Sequence, residues 1–235
     1  PAGFFLAAYK ETLPRALSEK YRQIAKKLKT IPREAHTMLI IGLTGDVGAG
    51  KSTLCRLWRK MGAEVFDADT LAREMWKKEE VQSKAKERWG KDFFSGEWKM
   101  VLAKIADKIF PSKEEYNFAA SLLHSAAIAE LKELVCKSKS PWVVVEIPLL
   151  YECGVPEWFD GVVYVSAPLE KRIERNSVRN WNKEEILRRE SHLLPRDEKI
   201  RRANWVLENT GTADVWEAKG AELGKFFLQK SKAKA

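Results

Sequence analysis

The chain has 235 residues, 45% hydrophobic and 32% charged, with a formal net charge of +9. That composition supports one large core or two small ones, and no apolar run approaches the roughly 20 residues of a membrane-spanning helix. The charge suggests nucleic acid until it is mapped. Residues 1–37 carry +5, the four lysines after Glu222 carry +4, and the body between them is formally neutral. A basic stripe across the folded body is not supported, so nucleic acid is not an expected partner.

In chain order, residues 1–37 read as an N-terminal basic extension. Leu17, Tyr21, Ile24 and Leu28 fall at helical spacing with Lys20, Lys26, Lys27 and Lys29 on other faces, which predicts one amphipathic helix ended by "KTIPRE". It is expected to be a solvated helix packed on the body, with contact to another protein or to nucleic acid as the alternative. "FFLAAY" is shorter than most signal-peptide cores of about 7–15 apolar residues and lacks a basic start. Cys55, Cys136 and Cys153 are odd in number and far apart, which predicts buried, reduced thiols in a cytoplasmic protein.

From Met38 to Ala235 the pattern is one domain of alternating strands and helices. "MLIIGL", "AEVFDAD", "WVVVEI", "GVVYVSA" and "WVLEN" read as strands, the first wholly apolar as a strand buried on both faces should be. Thr53 to Met61 and Ser121 to Val135 read as helix. This alternation predicts an α/β fold, a parallel sheet with helices on both faces. Residues 70–140 read as a helical insertion capping one end of the sheet, and the chain closes on a short lysine-rich tail.

Between the first strand and the first helix stands "GDVGAGKST": Gly45, Asp46, Val47, Gly48, Ala49, Gly50, Lys51, Ser52 and Thr53. The spacing G-x-x-x-x-G-K-S is that of a phosphate loop. Its glycines allow the backbone to close around phosphate oxygens, and the helix behind points its positive end at the same anion. Lys51 would reach the outer phosphates of ATP and the Ser52 hydroxyl would take a position on Mg2+. A GTPase does not fit: no aspartate is followed three positions later by Gly, and "NKEE" only imitates the guanine-reading motif.

The second strand runs into "FDADTLARE", which puts Asp67 and Asp69 at its carboxyl end. If that strand neighbours the first, both carboxylates come near the terminal phosphate, where a kinase needs a base for the attacking hydroxyl. Capping of the following helix is the competing reading, and spacing does not separate the two.

"IGLTGDVGAGKST", "VFDADTLARE" and "IPLLYECGV" together resemble the dephospho-CoA kinase family, as does "RNSVRN" followed by "KIRRANWVLENTG". The resemblance covers roughly Met38 to Phe227 and implies a P-loop NTPase-type fold with a lid over residues 169–202. It implies ATP on Gly45 to Thr53, Asp69 as base toward the ribose 3′-hydroxyl of dephospho-CoA, and Arg175 and Arg179 as lid arginines. It also implies Asn209 and Gly211 against the adenine, and Asp67, Arg73, His124, Pro148, Leu149 and Leu150 around the acceptor. For the two arginines on their own, a solvated helix face is the competing reading.

The chain departs from the family pattern at several points. Asp46 stands where Gly is usual, Val101 and Leu102 where an Asp-Arg pair is, Ser125 where Pro follows the His, Leu193 where Gln is, and Asn204 where Asp is. The Val101–Leu102 change bears on acceptor binding, with the expectation that an apolar cap meets the pantetheine arm instead. A nucleoside or nucleotide kinase and a non-catalytic ATP-binding protein are the other classes that the motifs allow.

Overall fold

Five short strands form one parallel sheet: β1 (Leu39–Gly45), β2 (Glu64–Asp67), β3 (Trp142–Glu146), β4 (Gly161–Ser166) and β5 (Trp205–Glu208). The computed structural model describes residues 37–109, 111–177, 181–190 and 193–234, so the basic extension and its expected helix lie outside the described residues. Among these, the chain divides into two units, Ala68–Lys137 and the residues on either side of that segment.

The sheet unit has the strand order β2-β3-β1-β4-β5. β1 is central, with Leu39 opposite Trp142 on one side and Ile41 opposite Gly161 on the other. The second strand in sequence is therefore not the neighbour of the first, since β3 lies between them. The residues explain the order. β3 ("WVVVE") is buried over its first four positions, whereas β2 ("EVFD") begins with an exposed Glu64 and suits an edge.

Helices cover both faces of the sheet. Leu39, Ile41, Leu43, Val144, Val163 and Val165 share a core with Leu54 and Trp58 of α1 (Lys51–Lys60). Alternate residues face the other way, where Gly42 lies against Leu150 and Phe159. The helices α2 (Ala68–Met75), α3 (Glu79–Trp89), α4 (Trp98–Ile109) and α5 (Lys113–Lys137) make up the other unit. Beyond β3 come α6 (Leu150–Cys153), α7 (Leu169–Asn176), α8 (Lys183–Glu190), α9 (Arg196–Arg202) and α10 (Ala213–Lys234).

The C-terminal lysines do not form a separate tail, because α10 runs to Lys234. Its buried face is Trp216, Gly220, Gly224, Phe227 and Ser231, at spacings of three and four. The two glycines let α10 approach α1: a Cβ at Gly220 would meet Leu54 at 2.6 Å, and one at Gly224 would meet Met61 at 2.8 Å. Phe227 then packs at 5.7 Å from the Trp58 ring and 4.9 Å from Trp205, and the Trp58 indole N–H donates to Gly220 O at 2.9 Å. Lys234 ends the helix with both Asp160 carboxylate oxygens at 2.7 Å.

The helical unit has its own core. Val101, Ile105 and Ile109 of α4, and Ala119, Leu123 and Ala127 of α5, recur every four residues and meet Trp76, Val81 and Ala85. Val101 is fully buried and Leu102 packs partly against the same cluster, which corrects the expectation that Val101 meets a ligand. Two apolar residues stand there because the position is filled by core. Cys55 is buried as expected, but Cys136 is exposed near the end of α5. Among the described residues no helix is long and apolar enough to cross a membrane.

Phe227 joins three aromatic partners in the sheet core, so Phe227→Ala should lower stability by about 3–5 kcal/mol. The urea midpoint followed by tryptophan fluorescence measures this. A shift of under about 1 kcal/mol would mean that α10 is not part of the cooperative core.

Candidate active site

The loop after β1 turns back on itself with Gly45 at φ 146° and Gly48 at φ 76°, backbone that side chains rarely adopt. Space forbids a side chain too: a Cβ at Gly45 would lie 2.0 Å from Val165 O, and one at Gly48 2.0 Å from the Asn176 amide. α1 then begins at Lys51. Lys51 Nζ donates to Gly45 O and Asp46 O, each at 3.0 Å. Ser52 is exposed in the first turn and Thr53 half-buried.

A collar of side chains holds the loop. The Asn209 amide donates to Ala49 O at 2.8 Å and accepts from Arg175 Nη2 at 2.9 Å. The Val47 N–H donates to Glu190 of α8 at 3.3 Å, and that carboxylate also takes Arg172 of α7 at 2.5 Å. The Asp46 N–H donates to Val165 O at 2.9 Å. Its carboxylate accepts from the Tyr164 hydroxyl at 2.5 Å, the Ala167 N–H at 3.2 Å and Arg196 Nε at 3.1 Å. Asp46 thus turns its side chain into the fold. Burial, and then the Asp46 charge, push the Tyr164 phenol well above its ordinary pKa.

Arg175 Nη1 is buried and has no hydrogen-bond partner among the described residues, and burial lowers the Arg175 pKa from the ordinary guanidinium value. Arg179 lies outside the described residues. Gly211 follows Asn209 in the loop after β5, where a Cβ would meet Val215 at 2.9 Å.

Two carboxylates stand side by side at the carboxyl edge of the sheet. Asp67 of β2 is in register with Glu146 of β3, which is in register with Leu43 of β1. Residues so paired project to the same face. The Cys55 thiol of α1 donates to Glu146 at 3.3 Å, and burial followed by the Glu146 charge raises its pKa far above the usual value, so it stays protonated. Asp69 is not on the strand. It stands in the first turn of α2, where its backbone oxygen accepts from Arg73 Nε at 3.2 Å. His124 is on α5, and its side chain lies outside the described residues. In the turn after β3, Pro148 O accepts from Thr44 at 3.1 Å, while Leu149 and Leu150 are buried and leave Pro148 and the backbone for any ligand.

Sequence reasoning missed Glu146, Tyr164, Arg172, Glu190 and Arg196. Glu146 had a signal, an acid ending an otherwise apolar strand. The others had none, because their partners are far off in sequence. The departure at Asn204 has a simple account: its amide oxygen accepts from Val162 N at 2.8 Å, as a carboxylate would.

Lys199 of α9 and Glu152 of α6 form a buried pair at 3.2 Å, their side chains 7% and 3% exposed, with Leu194 N on the same Glu152 oxygen. Lys199→Ala should cost about 3–5 kcal/mol by stranding the carboxylate, and Glu152→Gln added to it should recover part of the loss. Denaturant midpoints of the two variants check this, and a double variant weaker than the single would refute it.

A family model described as dephospho-CoA kinase matches residues 39–214. The chain is 35% identical over 185 residues to the dephospho-CoA kinase of Thermus thermophilus, covering 78% of this chain and 89% of that protein. It is 33% identical over 195 residues to that of Corynebacterium diphtheriae, covering 81% and 98%. A Thermus thermophilus crystal structure matches with a TM-score of 0.65 at 33% identity, covering 80% of this chain and 96% of that one. The dephospho-CoA kinase from Campylobacter jejuni has the same fold, with a TM-score of 0.59 at 19% identity over 82% and 98% of the two chains. The chain belongs to the dephospho-CoA kinase family, ATP-dependent kinases of coenzyme A biosynthesis.

Proposed function

We propose that the chain transfers the terminal phosphoryl group of ATP to the ribose 3′-hydroxyl of dephospho-CoA, with Asp69 taking the hydroxyl's proton. One observation carries the reading: a loop shaped to surround phosphate is collared by a helix whose Arg175 keeps a buried guanidinium N–H group that has no partner among the described residues. The amides of Asp46, Val47 and Ala49 are already bonded within the protein, so the phosphates take those of Gly48, Gly50, Ser52 and Thr53. Lys51 exchanges two backbone carbonyls for phosphate oxygens. Arg175 and Arg179 face the charge that develops during transfer.

The residues fit Mg2+ with its water shell: an exposed Ser52 hydroxyl at the head of α1, and Glu146 and Asp67 in register on adjacent strand ends. When bound, the ion draws charge from the transferring phosphoryl group. Asn209 and Gly211 border the adenine, and Arg73, His124 and Pro148 to Leu150 serve the acceptor. Free Cys55 and Cys136 suit a cytoplasmic location. Contact of the basic extension with another protein stays the alternative reading, and the extension lies outside the described residues.

Lys51→Ala should abolish turnover with the fold intact. Asp69→Asn keeps shape but removes the base, so kcat should fall by about 10²-fold or more with ATP affinity little changed. Steady-state kinetics with both substrates varied would show this, and an Asp69→Asn enzyme of normal kcat would reject the assignment. The acceptor is tested by kcat/KM for dephospho-CoA against AMP and adenosine at saturating ATP and Mg2+. Dephospho-CoA should lead by about tenfold or more, and AMP leading by that margin would overturn the substrate.

A further inference from the structure

The phosphate loop carries a negative charge of its own. The Asp46 side chain is 3% exposed, and its backbone carbonyl shares the Lys51 ammonium with Gly45. A carboxylate built into a loop that receives a polyanion opposes it over several ångströms unless something cancels it. Two of the donors on the carboxylate, the Tyr164 hydroxyl and the Ala167 amide, are neutral. The charged donor is Arg196 of α9, at 3.1 Å and with a side chain 45% exposed. The second acid on the loop, Glu190, is matched in the same way by Arg172 at 2.5 Å. Each carboxylate touching the loop thus has its own arginine.

We propose that Arg196 is a positioning residue for the nucleotide: by holding the Asp46 carboxylate it cancels the negative charge built into the loop, and so sets the affinity for ATP. The proposal rests on the loop binding ATP. It assigns Arg196 an effect through Asp46, with no contact to the phosphates. The effect therefore falls on ATP affinity more than on kcat, and depends on charge more than on shape.

The test measures ATP affinity by isothermal titration in the full chain, with thermal melting as the folding control. Arg196→Gln keeps a donor and loses the charge, and should weaken ATP by about tenfold while Arg196→Lys stays near wild type. Adding Asp46→Asn to Arg196→Gln removes both charges and should return affinity to within about twofold of wild type. AMP, with fewer charges, should be affected less than ATP. The deficit of Arg196→Gln should also shrink as salt rises, a readout from the single variant that mere loosening of α9 would not produce. The proposal is overturned if Arg196→Gln binds ATP as wild type does, if its deficit is indifferent to salt, or if the folded double variant is no better than the single. A wild type that binds no ATP would instead overturn the reading beneath it, and the proposal with it.

Discussion

A glycine-rich loop between a strand and a helix has no ladder of its own to hold it, and the surroundings of Gly45 to Gly50 answer to that constraint. Buried backbone groups need partners, and here they come from the sheet and the lid. Val165 O takes the Asp46 N–H, Lys51 takes two carbonyls, Asn209 takes a third, and Glu190 takes the Val47 N–H. β1 is central in the sheet, so the loop rises between the ends of β3 and β4 and both can reach it. Glu146 ends one, and Ser166 with Ala167 ends the other. The position of one strand thus decides which side chains are able to serve the loop.

Much of this was legible in the sequence, for local reasons. Apolar runs of four to six residues with Gly punctuation marked the strands, and the glycine spacing marked the loop. The strand order was readable only in part: Glu64 opening β2 hinted at an edge, but the neighbour of β1 depends on how the chain returns after α5. Val101 is a core position that the pattern does not reveal, because an apolar residue at a ligand-binding position and one in a helix core look the same in one dimension. The lysines after Glu222 were read as a tail because charge hid the period of Trp216, Gly220, Gly224 and Phe227. The collar was not legible at all. Asp46 finds Tyr164 118 residues away and Arg196 150 residues away, and no local pattern encodes such a meeting.

Three helices after β4 are short and strongly charged: "LEKRIERN" in α7, "KEEILRRE" in α8, "RDEKIRR" in α9. Ile186 is buried in α8, but segments of this composition cannot be held by apolar contact alone. Ion pairs position them instead, Arg172 with Glu190 and Lys199 with Glu152. Buried pairs add little net stability over apolar packing, but they are selective for one geometry, since a displaced helix strands a charge.

The same accounting of charges separates Arg175 from its neighbours. Arg172 and Arg196 each hold a carboxylate, whereas Arg175 holds the Asn209 amide oxygen, a neutral acceptor already tied to Ala49 O. Burial disfavours its charge, and the Glu174 carboxylate offsets this only in part, since the net pKa shift is downward. The position of Arg175 is guarded: the amide that holds it also holds the loop, so cation and phosphate cradle are spaced by a single side chain. Asn209 therefore acts as the spacer between Arg175 and the loop. Its place after β5 follows from Asn209 N bonding Ser166 O at 2.8 Å, at the end of β4 beside the loop.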